Sequence, residues 1–213
     1  MSLAAGCPRC PLPLTEDDDG HGWICPTHGL VVPLWRPATA SYAGFVKHLE
    51  VAAGFPTYLP WPMAPGWSVS DFGVVGAPGE PPRATMSCSS GTSRLDGPVD
   101  VLVVTEEAGT GLGARCAGFP GDGPGVEVRD EPPVVKVHLD TRSVPLWAVS
   151  TSSSDHELDR TVLAGEAGGR WLWMVVRPAA AVLLLRDEWI LRDVSRVGPP
   201  LVEMPFGGPT PHW

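Results

Sequence analysis

The chain has 213 residues, 43% of them apolar, with 25 Gly and 25 Pro. That is enough apolar mass for a real core, so the composition predicts a globular body of short strands and many turns and excludes wholesale disorder. The net charge is −9 and Arg is scattered singly, which disfavours direct nucleic-acid binding, whose footprint is a basic patch.

Residues 1–6 lack a positive n-region and are too short for an apolar h-region, so no secretory signal is read there. The next stretch, CPRCPLPLTEDDDGHGWICPTHG, carries Cys7-x2-Cys10, fourteen residues, then Cys25-x2-His28. This spacing lies beside the C-x2-C…C-x2-C class of zinc sites. A tight CxxC turn points both thiolates at one tetrahedral centre, and its backbone N–H groups can face the sulfurs. Three sulfurs and one imidazole close a four-ligand set. A catalytic zinc keeps one position open for water, so the expected cofactor is a structural Zn2+. His21 competes with His28, at a poorer spacing from Cys25. The module has too little apolar mass to fold without a staple. Five cysteines, an odd number in CxxC-type spacing, suit metal ligation in a reducing, cytoplasmic compartment rather than disulfides. Glu16 to Asp19 make the intervening loop acidic, which favours a partner with a basic surface.

GLVVPLWRP (29–37) predicts a short apolar strand closed by Pro37. Residues 41–53 space Phe45, Val46, Leu49 and Ala52 or Ala53 as a short helix would, and Gly54 ends it. FPTYLPWPMAPGW (55–67) must run extended because proline fixes φ and restricts the residue before it, and its aromatics suit packing on a body. Strands follow at WSVSDFGVVG, RATMSCSS, VDVLVVTEE (99–107), VVKVHLD (134–140) and LWAVS. VDVLVVTEE is apolar throughout most of its length, as a central strand buried on both faces is. RTVLAGEAGGRWLWMVV reads as a hairpin around Ala167 to Gly169. AVLLLRDEWILRDV gives a further strand pair, or a strand and a short helix. The most apolar run, Trp171 to Leu185, is broken by Arg177 and Pro178 and falls short of the ~20 residues of a membrane span. The expected architecture is α+β, mainly β: a zinc ribbon (1–36), a helix and Pro-rich connector (37–66), and a strand-rich domain (67–213) of six to nine strands with one or two short helices.

A second candidate site lies at VVTEEAGTGLGARCAG. A buried strand runs into Gly-rich backbone with Thr110 as an N-cap candidate, a generic anion cradle at a helix N-terminus. Glu106 and Glu107 occupy the place of a phosphate, Arg115 is the one base, and neither GxGxxG nor GxxxxGK[ST] is present, so a structural turn is the stronger reading. If the loop binds a ligand, Glu106, Glu107, Thr110, Gly111, Gly113 and Arg115 are the groups to hold it. Consecutive strand residues face opposite ways, so Glu106 and Glu107 cannot share a site while both are on the strand. Cys88 and Cys116 read as small buried hydrophobes. His48, His138, His156 and His212 are lone, and the Ser150–Asp155 run reads as a loop. No GxSxG, HExxH or kinase set occurs, which leans away from an enzyme. Trp61, Trp67 and Trp147, near prolines, are core residues first and lining for an exposed apolar groove second.

CPRC with WICPTHG, LPWPMAPGW, VTEEAGTGLGARCAG, VKVHL with PLWAV, and LAGEAGGRWLWMVV together resemble an uncharacterised family of N-terminal zinc-ribbon proteins from high-GC Gram-positive bacteria. EEAGTGLGARCAG and GRWLWMVV are the specific stretches. Pro11 departs from the pattern, standing where a ribbon knuckle normally has Gly. The resemblance implies the two-part layout and the zinc, and no established activity. The expected function is a structural zinc ribbon with a protein-interaction or scaffolding role and another protein as partner; the alternative is an enzyme or small-molecule-binding domain using loop 105–116.

Overall fold

A computed structural model describes residues 3–17, 20, 22–125, 132–149, 159–187, 189–208 and 211. His21, His156, His212, Asp18, Asp19 and Ser150–Asp155 lie outside the described residues. The strands are β1 (Leu3–Gly6), β2 (Thr15–Glu16), β3 (Trp23–Cys25), β4 (Gly29–Val31), β5 (Leu34–Pro37), β6 (Tyr58–Pro60) and β7 (Ser68–Val75). They continue as β8 (Ala84–Ser93), β9 (Gly97–Glu106), β10 (Val135–Leu139), β11 (Arg142–Ala148), β12 (Thr161–Ala167), β13 (Arg170–Arg177) and β14 (Ile190–Asp193). Two α-helices, α1 (Tyr42–Val51) and α2 (Leu112–Ala117), and three 3-10 segments complete the described elements. The fold is α+β and mainly β.

Eleven strands form one sheet, in the order β1-β5-β7-β8-β9-β13-β12-β11-β10-β14-β6, and β2-β3-β4 form a second. β8, β9 and β13 make long antiparallel ladders at its centre. Both faces of β9 are covered. Leu102 and Val104 join one apolar cluster with Trp173 and the α2 residues Leu112, Ala114 and Cys116. Val99, Val101 and Val103 join another with Leu146, Leu163 and Met174. That double burial is why the strand reads as nearly continuous apolar sequence. The far end of the sheet returns over its middle: hydroxyls of Thr85 and Ser87 on β8 donate to the carbonyls of Pro56 and Tyr58 beside and on β6.

α1 begins where the Ser41 hydroxyl accepts the Gly44 N–H, a side-chain N-cap. Its buried face sets Phe45 and His48 against Phe72. The β12–β13 hairpin turns at Gly168 and Gly169, both with positive φ (63° and 79°), the backbone that glycine adopts most readily. Among the described residues, 67–213 hold eight strands, β7 to β14, within the six to nine expected. β1 and β6 carry too few residues for a periodic signal and exist by pairing with distant chain. The 179–193 stretch resolves into a 3-10 segment, Ala179–Asp187, followed by β14. Among the described residues, no helix is long and apolar enough to cross a membrane.

Candidate metal centre

The three short strands β2, β3 and β4 carry the second pair of candidate ligands at a hairpin: Cys25 pairs with Gly29 across the β3–β4 turn. Gly29 has φ 66°, so the chain leaves the His28 knuckle through backbone that a side chain would strain. The first knuckle follows β1, which is paired to β5 in the large sheet. Cys7, Cys10, Cys25 and His28 offer ligand atoms that all lie within 4.8 Å of one another. Cys7 Sγ is 3.6 Å and Cys25 Sγ 3.5 Å from His28 Nδ1, and Cys10 Sγ is 3.5 Å from Cys25 Sγ. A tetrahedral ion with bonds of about 2.0–2.3 Å sets its ligand atoms about 3.3–3.8 Å apart, so these separations fit. The Arg9 N–H points at Cys7 Sγ at 3.4 Å, the bond a CxxC knuckle makes, with Pro11 in place.

The thiols are electrostatically unequal. Burial pushes the Cys7 thiol up to about 11, and the Arg9 and Cys10 N–H groups only partly offset it. Burial also acts on Cys25, but the Thr27 and His28 N–H groups, the His28 ring and Cys10 outweigh it and hold that thiol at about 6. Burial thus opposes ionisation at Cys7, whereas the local N–H groups favour it at Cys25. A divalent ion binds thiolates, so ligation here is coupled to proton release.

Both sequence candidates meet at this place. The Arg9 guanidinium donates to the carbonyls of Gly109 (2.6 Å) and Thr110 (3.3 Å), and the Arg115 guanidinium donates to the Cys7 carbonyl. The CxxC knuckle is thus clamped to the β9–α2 loop from both sides. Gly111, at φ 83°, leaves room for the Arg9 stem: a Cβ there would lie 3.0 Å from Arg9 Cγ. Trp23 packs edge-on against Trp35 of β5 at 5.7 Å and adds an apolar contact.

The six loop residues do not converge on one cavity. Glu106 has no exposed surface, and its carboxylate accepts the Leu112 N–H at 2.8 Å, capping α2. Burial raises its pKa to about 7 against the pull of the Gly113, Leu112 and Gly111 N–H groups and the Trp173 indole. Glu107 is exposed and faces Arg83 at 3.7 Å. Thr110 is buried and its hydroxyl donates to the Glu107 carbonyl. Gly113 admits the Trp173 indole, whose Nε1 would lie 2.2 Å from an added Cβ. A cleft of about 480 Å³ opens between the ribbon-side strands and the body, reaching Arg9, Trp23, Leu30, Glu80, Gly109 and Thr110. Arg115 instead borders a separate cavity of about 440 Å³ with Arg36.

Cys88 and Cys116 are fully buried, and burial pushes Cys116 up to about 12 and Cys88 further. Both pack in the α2-side core, the role of small hydrophobes. His48 is buried with Nε2 3.0 Å from the Thr57 hydroxyl, and burial lowers it to about 3. His138 is half-buried on β10. Trp61 and Trp67 border an apolar groove of about 410 Å³, joined by Trp189 rather than by Trp147, which pairs with Ala164 across β11 and β12. Sequence reasoning missed Arg9, whose signal was a cation inside the CxxC knuckle, and Trp189, which carries no local mark.

The family profile that matches this sequence covers residues 1–213. The chain belongs to DUF6758, a family of unknown function. Neither the comparison with proteins of curated function nor that with solved structures gave a match. For this DUF6758 chain the site itself is therefore the ground for any functional reading.

Proposed function

We propose that Cys7, Cys10, Cys25 and His28 hold a structural zinc, as a zinc ribbon does, and that the protein serves a protein-interaction or scaffolding role in the cytoplasm. The observation that carries the reading is the closed donor set: three sulfurs and one imidazole nitrogen within 4.8 Å leave no position for water or substrate on a tetrahedral ion. Sulfur-rich donors favour zinc over hard cations such as Mg2+ or Ca2+. Such an ion supplies cross-linking of two knuckles. Arg9 and Arg115 then carry that fixed geometry into the body through the Gly109, Thr110 and Cys7 carbonyls. The net charge of −9 favours a basic protein partner over nucleic acid. Elemental analysis of protein purified without chelator tests the metal: about one zinc per chain is expected, and a metal-free, fully folded protein would sink the reading.

The alternative, an enzyme or small-molecule-binding domain using loop 105–116, has one observation behind it: the cleft of about 480 Å³ reaches Gly109 and Thr110. Thermal-shift screening of metabolites against the wild type and Glu107→Ala addresses it. A ligand whose shift depends on the loop supports this alternative over scaffolding.

A further inference from the structure

The apolar groove bordered by Trp61, Trp67 and Trp189 has no part in the metal site. Pro60 and Pro62 flank Trp61 in its wall. Ile190, whose carbonyl accepts the Trp61 N–H, adds an exposed apolar side chain at the start of β14. The rings are held in place by the chain itself. Trp67 is buried, and its indole lies across Gly91 of β8, where an added Cβ would come within 2.5 Å of three ring atoms. Trp189 meets Trp67 edge-on at 5.9 Å, and the Arg192 guanidinium stands 5.7 Å from the centre of the Trp61 ring. Rings already fixed lose little freedom when a partner binds.

The polarity of the groove selects the occupant. Among the described residues, no ionisable side chain lines it. Elsewhere the Trp35 indole donates its N–H to the Gly76 carbonyl at 2.9 Å. The indole N–H groups of Trp61, Trp67 and Trp189 find no acceptor among the described residues, and none of the three is sealed from solvent. Indole N–H only donates, so the lining side chains supply donors and no oxygen acceptor. A matching occupant brings carbonyl oxygens, apolar rings and few donors. A proline-rich chain does so: proline has no N–H, and the polyproline II helix leaves its carbonyls free of internal bonds. A hydrocarbon brings no acceptor, a sugar brings hydroxyl donors that these side chains cannot accept, and an α-helix spends its carbonyls on itself.

We propose that this groove docks an extended, proline-rich segment of a partner protein. Its proline rings pack on the three indoles, and its backbone carbonyls accept from their N–H groups. The proposal rests on the protein-interaction reading, to which it adds the chemistry of the partner, and is independent of the metal.

The test is NMR of the indole N–H groups in the full chain purified without chelator, titrated in parallel with capped decaproline, a capped glycine–serine peptide of equal length, and hexanol. Decaproline is expected to shift the Trp61, Trp67 and Trp189 signals, and the glycine–serine peptide to leave them unchanged. Trp61→Phe keeps an aromatic ring but removes one donor, and weakens decaproline about fivefold, the loss of one hydrogen bond. Ile190→Glu, an exposed change that keeps all three indoles, also weakens it by placing a charge in the apolar groove. Leu95→Glu, exposed and outside the groove, leaves the affinity unchanged. No shift of the three indoles with decaproline, an equal response to the glycine–serine peptide, or unchanged affinity in both Trp61→Phe and Ile190→Glu overturns the proposal. So does broadening of these signals with protein concentration alone, which assigns the groove to a second copy of the chain. A response to hexanol alone overturns it in favour of an apolar small molecule and counts against the interaction reading as well. Silence with all three titrants sinks this proposal and leaves the interaction reading standing.

Discussion

At the end of β9, the Glu106 carboxylate lies in the core and closes the first turn of α2 through the Leu112 N–H. Its folded pKa of about 7 lies above the ordinary value of 4.5, so the folded chain holds a proton there that the unfolded chain releases. The stability this group contributes is complete below about pH 4.5 and is lost as pH rises to about 7, on the order of 3 kcal/mol for a shift of this size. Urea unfolding of metal-loaded wild type and Glu106→Gln across that window checks it. The stability difference should move in favour of the variant as pH rises, and parallel curves would refute the assignment. His48 has the opposite sign. Burial lowers it from 6.5 to about 3, so its contribution is present above pH 6.5 and lost as pH falls. The buried thiols give a third readout. With metal bound, a thiol reagent should find no fast-reacting cysteine; a chelator should release Cys7, Cys10 and Cys25, and Cys88 and Cys116 should react only on global unfolding. Fast labelling of Cys88 in folded protein would contradict the packing described.

The β9–α2 unit shows what an element adds to its residues. Gly113 exists because Trp173 crosses α2 there, with Nε1 2.2 Å from a would-be Cβ. Gly113→Ala gains about 1 kcal/mol of helix propensity but overpacks a buried indole, a cost of about 1–3 kcal/mol. A net loss is expected in urea unfolding, and a more stable variant would show that the indole moves aside. Much at this scale was legible. The α1 period, the β12–β13 hairpin, the apolar run of β9 and the Gly-weakened α2 each carry a local signal, and each element is found. The ligand spacing carries one too, and the four atoms converge. The use of the Gly-rich loop was not legible. Its glycines serve the Arg9 stem and the Trp173 ring, and both partners are distant in sequence. β6 was hidden for the same reason: it has only three residues and is held by β14, far along the chain.

In the whole molecule, a rolled eleven-stranded sheet supplies a rigid body, and the cysteine-bearing strands are fastened to it at three points: β1 on β5, Trp23 on Trp35, and the Arg9–Arg115 clamp on the β9–α2 loop. The body has its own apolar clusters on both faces of β9, whereas the strands around the ligands bury almost none of their side chains. In the proposed reading cross-linking by an ion holds the latter, so metal loss should act locally and spread through the clamp rather than unfold the sheet. Cys7→Ser and Cys10→Ser should leave the β8–β9–β13 ladder intact for the same reason. Amide hydrogen exchange with and without a zinc chelator tests this most directly. The account predicts that residues 7–31 lose protection together with the 107–118 loop while β8, β9 and β13 keep theirs. Unchanged protection of residues 7–31 after complete metal removal would contradict it.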